Sequence, residues 1–480
     1  MKKNFSLMAL LVAGASVLFT SCDKSKDPTP TTTTGSKEVV IKSNIPVGVT
    51  RHLVADSTYV LQGNIFVKGT IKIDAGTIIK GDKLTKGTLI VLQGGKIDAQ
   101  GTSTKPIVFT SRMEAGLRAA GDWGGVILVG KAPVNQSSAT IEGLTQTLKY
   151  GLDTIPASQR DVNDNSGIMQ YVRIEFAGIA LQPDNEINGL TFCSVGAGTT
   201  VDHIQVSFSG DDSYEWFGGN VKAKYLIAYC GLDDDFDTDY GFSGKVQYAL
   251  GVRSARIADV STSNGFESDN DATGSVGQPK TKGVFSNVTL IGPYKTTADG
   301  NVSSNFGAGA HIRRNSSLSI INCVFAGWNT AGIKLDGDLT YANAKDSLTL
   351  NIKNCAIIGN KASTAIVGVG TNCTNTTALA LYNTSAYSNM IIATNATAKI
   401  AANAKDSAGI ANSFYISSKT GSAAIPTSFL PASNSPLLTG AFDVSTLNSF
   451  FEKTSYIGAF GTTDWTKEAW VNFDPQNTVY

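Results

Sequence analysis

Five short segments of this 480-residue chain carry charged side chains at matching positions after an apolar residue. They are Tyr214-Glu-Trp-Phe, Phe236-Asp-Thr-Asp, Phe266-Glu-Ser-Asp, Ala310-His-Ile-Arg and Ile333-Lys-Leu-Asp. Successive side chains of a strand point to opposite faces, so an inward first residue turns the second one outward. Stacked in register, the segments predict an outward column of Glu215, Asp237, Glu267, His311 and Lys334. A second column, two places further on, holds Phe217, Asp239, Asp269, Arg313 and Asp336. The turns before the strands add Asp211, Asp212, Asp233, Asp234 and Asp235.

Stacked carboxylates are costly. Two unit charges about 5 Å apart repel by roughly 3 kcal/mol at an effective dielectric near 20. A bound cation, a raised pKa on one acid, or a neighbouring Arg or Lys relieves this repulsion. Oxygen ligands with no sulfur or imidazole cluster suit calcium, which makes Asp211, Asp212, Asp233, Asp234 and Asp235 the expected Ca²⁺ ligands. The plainer alternative is a set of solvated turn acids.

The same patch offers catalytic roles. Glu215 with Asp237, or Asp237 with Glu267, could serve as the carboxylate pair of a glycosidase. A lyase would use Ca²⁺ to acidify a uronate and Arg313 or Lys334 to take the proton. Trp216, Asp239, Asp269 and His311 border these groups and are the expected ligand contacts. Trp216 could stack on a sugar ring or pack in the core.

Such columns need an element that repeats in register, and the sequence contains one. The units Arg173-Ile-Glu-Phe-Ala-Gly178, Gln205-Val-Ser-Phe-Ser-Gly210 and Leu226-Ile-Ala-Tyr-Cys-Gly231 share a pattern with Asn287-Val-Thr-Leu-Ile-Gly292, Asn322-Cys-Val-Phe-Ala-Gly327 and Asn354-Cys-Ala-Ile-Ile-Gly359. Apolar residues fill the second and fourth positions, and a glycine closes each unit. Recurrence at this spacing is the mark of a solenoid with loop insertions. It predicts Asn287, Asn322 and Asn354 stacked at a corner, with Val288, Cys323 and Cys355 in the core. A Greek-key sandwich also alternates but does not repeat like residues at fixed phase. The fold class expected is all-β, a single-stranded right-handed parallel β-helix over 37–445 with capped ends. The aromatic tail 446–480, containing Phe450, Phe451, Tyr456, Phe460, Trp465, Trp470 and Phe473, is expected to be the C-terminal cap.

Composition agrees. Glycine is abundant, at 49 residues, and only 16% of residues are charged, which suits short strands and tight turns better than helical bundles. Thirty-nine basic and 39 acidic side chains balance, so no electrostatic pull toward nucleic acid is expected. At the N-terminus, Lys2 and Lys3 precede an apolar run from Leu7 to Phe19 and then Thr20-Ser-Cys22. This order predicts a signal peptide over 1–21 and a lipidated Cys22, followed by a Thr/Pro linker to residue 36. The remaining Cys193, Cys230, Cys323, Cys355 and Cys373 are odd in number and cannot all pair. The equivalent phase of Cys323 and Cys355 suggests stacked buried thiols.

Longer motifs carry a resemblance. Gly121-Asp-Trp-Gly-Gly-Val, Asn188-Gly-Leu-Thr, Ser209-Gly-Asp-Asp-Ser-Tyr-Glu-Trp-Phe-Gly-Gly, Asn264-Gly-Phe-Glu-Ser-Asp-Asn-Asp, Gly309-Ala-His-Ile-Arg-Arg-Asn and Tyr456-Ile-Gly-Ala-Phe-Gly are among them. Together they resemble a largely uncharacterised family of Bacteroidota β-helix surface lipoproteins, and more remotely the pectate lyases and polygalacturonases. The resemblance implies an outer-membrane lipoprotein, anchored through Cys22 and displayed at the cell surface. The leading functional expectation is binding of extracellular glycan or another surface ligand, with calcium as a possible cofactor. A polysaccharide lyase or glycoside hydrolase using the acidic patch is the second reading, and a structural or adhesive rod the third.

Overall fold

The computed structural model describes residues 38–144, 148–151, 154–182, 185–294, 301–362, 364–393 and 428–480. The expected signal peptide, Cys22 and linker lie outside the described residues. Among those residues no helix is long and apolar enough to cross a membrane.

The unit Lys37–Tyr480 is a parallel β-helix. Its strands form one ten-stranded and one seventeen-stranded sheet, with two small antiparallel hairpins inserted between rungs. The ten-stranded sheet runs from Asn64–Val67 through Leu190–Cys193, Tyr214–Phe217, Phe236–Asp239, Phe266–Ser268 and Ala308–Ile312 to Ile366–Val369. In it Tyr214, Phe236, Phe266, Ala310 and Ile333 align rung by rung, and all are buried. Their rings stack at one-rung spacing, 5.4 Å from Tyr214 to Phe236 and 5.5 Å from Phe236 to Phe266. Stacking in this way pairs each backbone group with the coils above and below, which satisfies the buried amides. The inward column fixes the outward one, because the pleat alternates.

The seventeen-stranded sheet is bent along a line of left-handed residues. Tyr171, His203, Tyr225, Tyr248, Asn287, Asn322 and Asn354 all have φ between 45° and 64°. Such a conformation is costly for non-glycine residues, least so for asparagine. Here it is offset by contacts: His203 stacks between Tyr171 and Tyr225 with ring centroids 4.3 Å apart on each side. The asparagine corner is therefore the continuation of an aromatic ladder. Val288, Cys323 and Cys355 are fully buried, and the five described cysteines are free thiols.

Two sequence-based expectations need correction. The six units do not share one phase: Gln205 pairs with Ile227, not Leu226, and the same line continues through Leu250 to Thr289, not Asn287. Leu226 and Ala228 consequently face the core, whereas Ile227 and Tyr229 lie on the outer face. Every residue in the Leu226 unit is apolar, so its alternation carried no information about phase. The second correction concerns the tail. Residues 428–480 do not plug an end but run along the flank of the helix. Asn354 Nδ2 donates to the Gly440 carbonyl (2.7 Å), Asn322 Nδ2 to Phe442 (2.9 Å), and Gln205 Nε2 to Asn472 (2.6 Å). Arg118 reaches the Pro475 carbonyl at 2.6 Å. The tail thus travels from late rungs back to early ones. Its Phe429, Leu437, Phe460, Trp465, Trp470 and Phe473 cover the outward apolar residues Ile227, Tyr229, Leu250, Val252 and Ile291. Tail and sheet form a second hydrophobic layer. Segment 428–445 belongs to this strap and not to the coils, whose last described strand is Met390–Ala393. The C-terminal rungs are instead closed by the helices Asp338–Lys345 and Asn375–Tyr382, which add Tyr341, Ala344, Ala378 and Tyr382 to the core.

Candidate functional site: an acidic cavity on the outer face

The outward column of the ten-stranded sheet forms in the register expected, with Glu215, Asp237, Glu267, His311 and Lys334 as successive partners. It does not face open solvent. Loops rise beside its middle rungs and wall a half-open cavity of about 800 Å³, in which Glu215 is only 5% exposed. The cavity walls carry ten carboxylates and a single guanidinium, that of Arg313. Among the described residues no aromatic side chain lines it.

The turn acids have a defined structural task. Asn188, Asp212, Asp234 and Asn264 each stand two residues before an inward apolar residue and stack in one line. Asp212 accepts the backbone N–H of Asp234 at 2.8 Å, Asp234 accepts that of Asn264, and Asn264 accepts that of Ala308 at 2.9 Å. Each side chain therefore satisfies the amide of the following coil. Asn188 breaks the pattern: its amide nitrogen donates to Glu215, while its buried Oδ1 has no hydrogen-bond partner. Buried oxygens Oδ1 of Asp233 and Oδ1 of Asp237 are likewise without one.

Three sets of acids place ligand oxygens within 4.8 Å of one another: Asp211, Asp212 and Asp233; Asp212, Glu215 and Asp237; and Asp234, Asp237 and Glu267. Burial is the main reason that Asp211, Asp212, Glu215, Asp234 and Asp237 hold their protons well above the usual carboxylate range. Neighbouring carboxylates push in the same direction; Glu267 is the strongest for Asp237, Glu142 for Glu215. Burial also raises Asp233 to about 6 and Glu142 to about 7. Buried carboxylic acids with orphaned oxygens are unfavourable unless a cation replaces the protons. The donor set, all carboxylate and amide oxygen, fits a hard divalent cation such as calcium.

Arg313 closes the far side. It pairs with Glu267 and donates Nε to Asp269 at 2.9 Å, and Arg314 meets Asp269 at 2.6 Å. Burial opposes the guanidinium charge, but Glu267 and Asp269 more than compensate and hold the proton on Arg313. This works against Arg313 as a proton acceptor.

The sequence-predicted residues divide clearly. Glu215, Asp237, Glu267 and Arg313 line the cavity, as do Asp211, Asp212, Asp233 and Asp234. The others do not. Asp235 points into the protein and pairs at 2.8 Å with Arg253, both fully buried. Three successive aspartates cannot all face one side, and the third turns inward. Trp216 is fully buried, stacked on Phe192 at 5.5 Å, so it offers no platform for a sugar. It shares the inward face of its strand with Tyr214. Lys334 lies outside the cavity and is bound to Asp336 at 3.0 Å, which His311 also contacts at 3.0 Å. Asp239 and Asp269 stand beside the cavity without lining it, Asp269 being held by the two arginines.

Glu142, Glu186, Asn188 and Asp259 complete the cavity wall and were not anticipated. Asn188 had a legible signal, since Asn188-Gly-Leu, Asp212-Ser-Tyr, Asp234-Asp-Phe and Asn264-Gly-Phe share one phase. The other three stand on loops and hairpins inserted outside the repeat, where phase is undefined.

Comparison with known proteins agrees with this architecture. No curated protein and no solved structure matched the chain. Residues 48–414 match the family model described as a pectate-lyase-like beta helix domain. With its stacked parallel coils and the match over most of its length, the chain belongs to the pectate-lyase-like β-helix family.

Proposed function

We propose that the chain is a cell-surface glycan-binding protein whose acidic cavity binds calcium and, through it, carboxylate-bearing sugars. Family membership supports the coarse statement, a carbohydrate-related β-helix protein. The observation that carries the finer reading is the set of orphaned oxygens, Asn188 Oδ1, Asp233 Oδ1 and Asp237 Oδ1, among acids in mutual reach. Empty of cations, these walls would repel an acidic polysaccharide; loaded with calcium, they would attract one. Anchoring through Cys22 at the outer membrane would present the site to extracellular polymer.

A second reading, hydrolysis, draws on one feature. Glu267 is held by Arg313, whereas burial and the Glu267 charge keep the neighbouring Asp237 protonated. A carboxyl group that binds its proton tightly, standing beside one paired with an arginine, is suited to the acid role. The recessed, half-open shape of the cavity, with no aromatic strip among the described residues, also favours a site that holds a short ligand segment over a flat binding face.

The test is retention of the protein on immobilised acidic and neutral polysaccharides with calcium and with EDTA. Retention on the acidic polymer that disappears in EDTA supports the proposal. Equal retention in both conditions, or none, overturns it. Release of sugar fragments that stops in Asp237→Asn would establish the hydrolytic reading.

A further inference from the structure

A second cavity of about 440 Å³ lies over the early rungs of the same sheet. Among the described residues no carboxylate lines it. Lys42, Lys86, Asn44, Asn64, Thr85 and Phe66 line it. Among the described residues neither lysine ammonium has a carboxylate partner. Lys86 also holds a left-handed backbone, φ 55°, in a tight turn that brings it to the cavity wall.

The two cavities are separated by one thin partition. Glu142 and Glu186 face the acidic cavity, while the next residue of each chain segment, Gly143 and Ile187, faces the lysine cavity. Gly143 is required there: a Cβ would stand 2.3 Å from Ile187 Cγ1 and 2.4 Å from the Glu186 carbonyl oxygen. Both cavities draw on a single outward column, since Phe66 aligns through Ile90, Ile127 and Thr191 with Glu215. Four rungs at about 4.8 Å separate Phe66 from Glu215, so their centres are on the order of 20 Å apart.

We infer that the lysine cavity is a second binding compartment, which takes the anionic group of an acidic sugar several units along a chain whose other end lies at the acidic cavity. Lys42 and Lys86 supply the charge, and Asn44, Asn64 and Thr85 supply hydrogen-bonding groups for hydroxyls. Phe66 gives the apolar wall. The charge order, cation-filled acids and then lysines, selects a polymer that is anionic at intervals over one that is neutral or charged at a single end. The inference rests on the proposed glycan-binding function and adds where the rest of the chain goes and why length matters.

The experiment compares the full chain with a Lys42→Gln, Lys86→Gln double variant by calorimetry in calcium. Probes are oligogalacturonates of two and eight units and a sulfated dextran oligosaccharide of similar length. The expected result is that the long oligogalacturonate binds the variant about tenfold more weakly, while the short one and calcium itself bind both proteins equally. A matching loss for the sulfated probe identifies charge as the recognised feature; a loss confined to oligogalacturonate identifies the carboxylate. Equal binding of the long probes to both proteins overturns the inference and leaves the calcium-dependent reading intact. Failure of wild type to bind calcium or any probe overturns both.

Discussion

At the scale of single residues, the decisive fact is that acids brought together by the coil register have few cations to balance them. Asp237 is central, since it belongs to two of the three oxygen clusters and has one orphaned buried oxygen. An Asp237→Asn substitution replaces a buried acid, whose proton is held tightly, by a neutral amide of the same shape. It should weaken calcium binding at least about tenfold, a change of roughly 1.4 kcal/mol, while raising the melting temperature of the calcium-free protein. A lower melting temperature in EDTA would contradict the repulsion argument.

The pH dependence follows from the same groups. Burial lifts Asp233 from 3.8 to about 6 and Glu142 from 4.5 to about 7. Across that window the folded protein keeps protons that the unfolded chain has released, so stability falls as pH rises. In EDTA the urea midpoint should therefore be lower near about pH 7.5 than near about pH 5, with calcium flattening the difference. A midpoint that rises with pH would show that these acids are not held protonated.

At the scale of elements, the alternation of the pleat did most of the work that could be read in advance. Glu215, Asp237 and Glu267 were placed in one column because aromatic or apolar residues preceded them at constant spacing. The same logic misled where alternation was ambiguous. Leu226-Ile-Ala-Tyr is apolar throughout, and a one-residue slip there exchanges the inner and outer faces. Trp216 was legible as a core residue from its shared parity with Tyr214, though its size suggested a sugar platform. Truncating it to Ala should destabilise the fold by about 3–5 kcal/mol and leave calcium affinity unchanged. Loss of calcium binding at full folding would return Trp216 to the site. Loop-borne Glu142, Glu186 and Asp259 had no phase to betray them, because insertions are free of the coil repeat.

At the scale of the whole β-helix unit, the flank strap accounts for the apolar outer face that alternation alone left unexplained. Asn287 joins the two parts: its side-chain nitrogen lies 3.1 Å from Thr454 Oγ1, 3.1 Å from the Tyr456 carbonyl and 3.2 Å from that of Gly458. Asn287→Ala loses these bonds and also strains a left-handed position, so a cost of about 2–3 kcal/mol is expected. The strap should then become accessible to protease before the coils do. Simultaneous cleavage of both would show that strap and coils unfold as one unit. The tail's aromatic content was evident in the sequence, but its position was not. A hydrophobic plug and a hydrophobic strap have the same composition, and only the outward apolar residues from Ile227 to Ile291 distinguish them.

Thermal unfolding of wild type and of Asp237→Asn, each with calcium and with EDTA, tests the central claim most directly. A ligand at a hundred times its Kd adds about 2.7 kcal/mol to the folded state, so calcium should raise the wild-type melting temperature clearly and the variant's far less. Superimposable wild-type curves in calcium and EDTA would contradict the account, leaving a β-helix whose acids are kept neutral by protons alone.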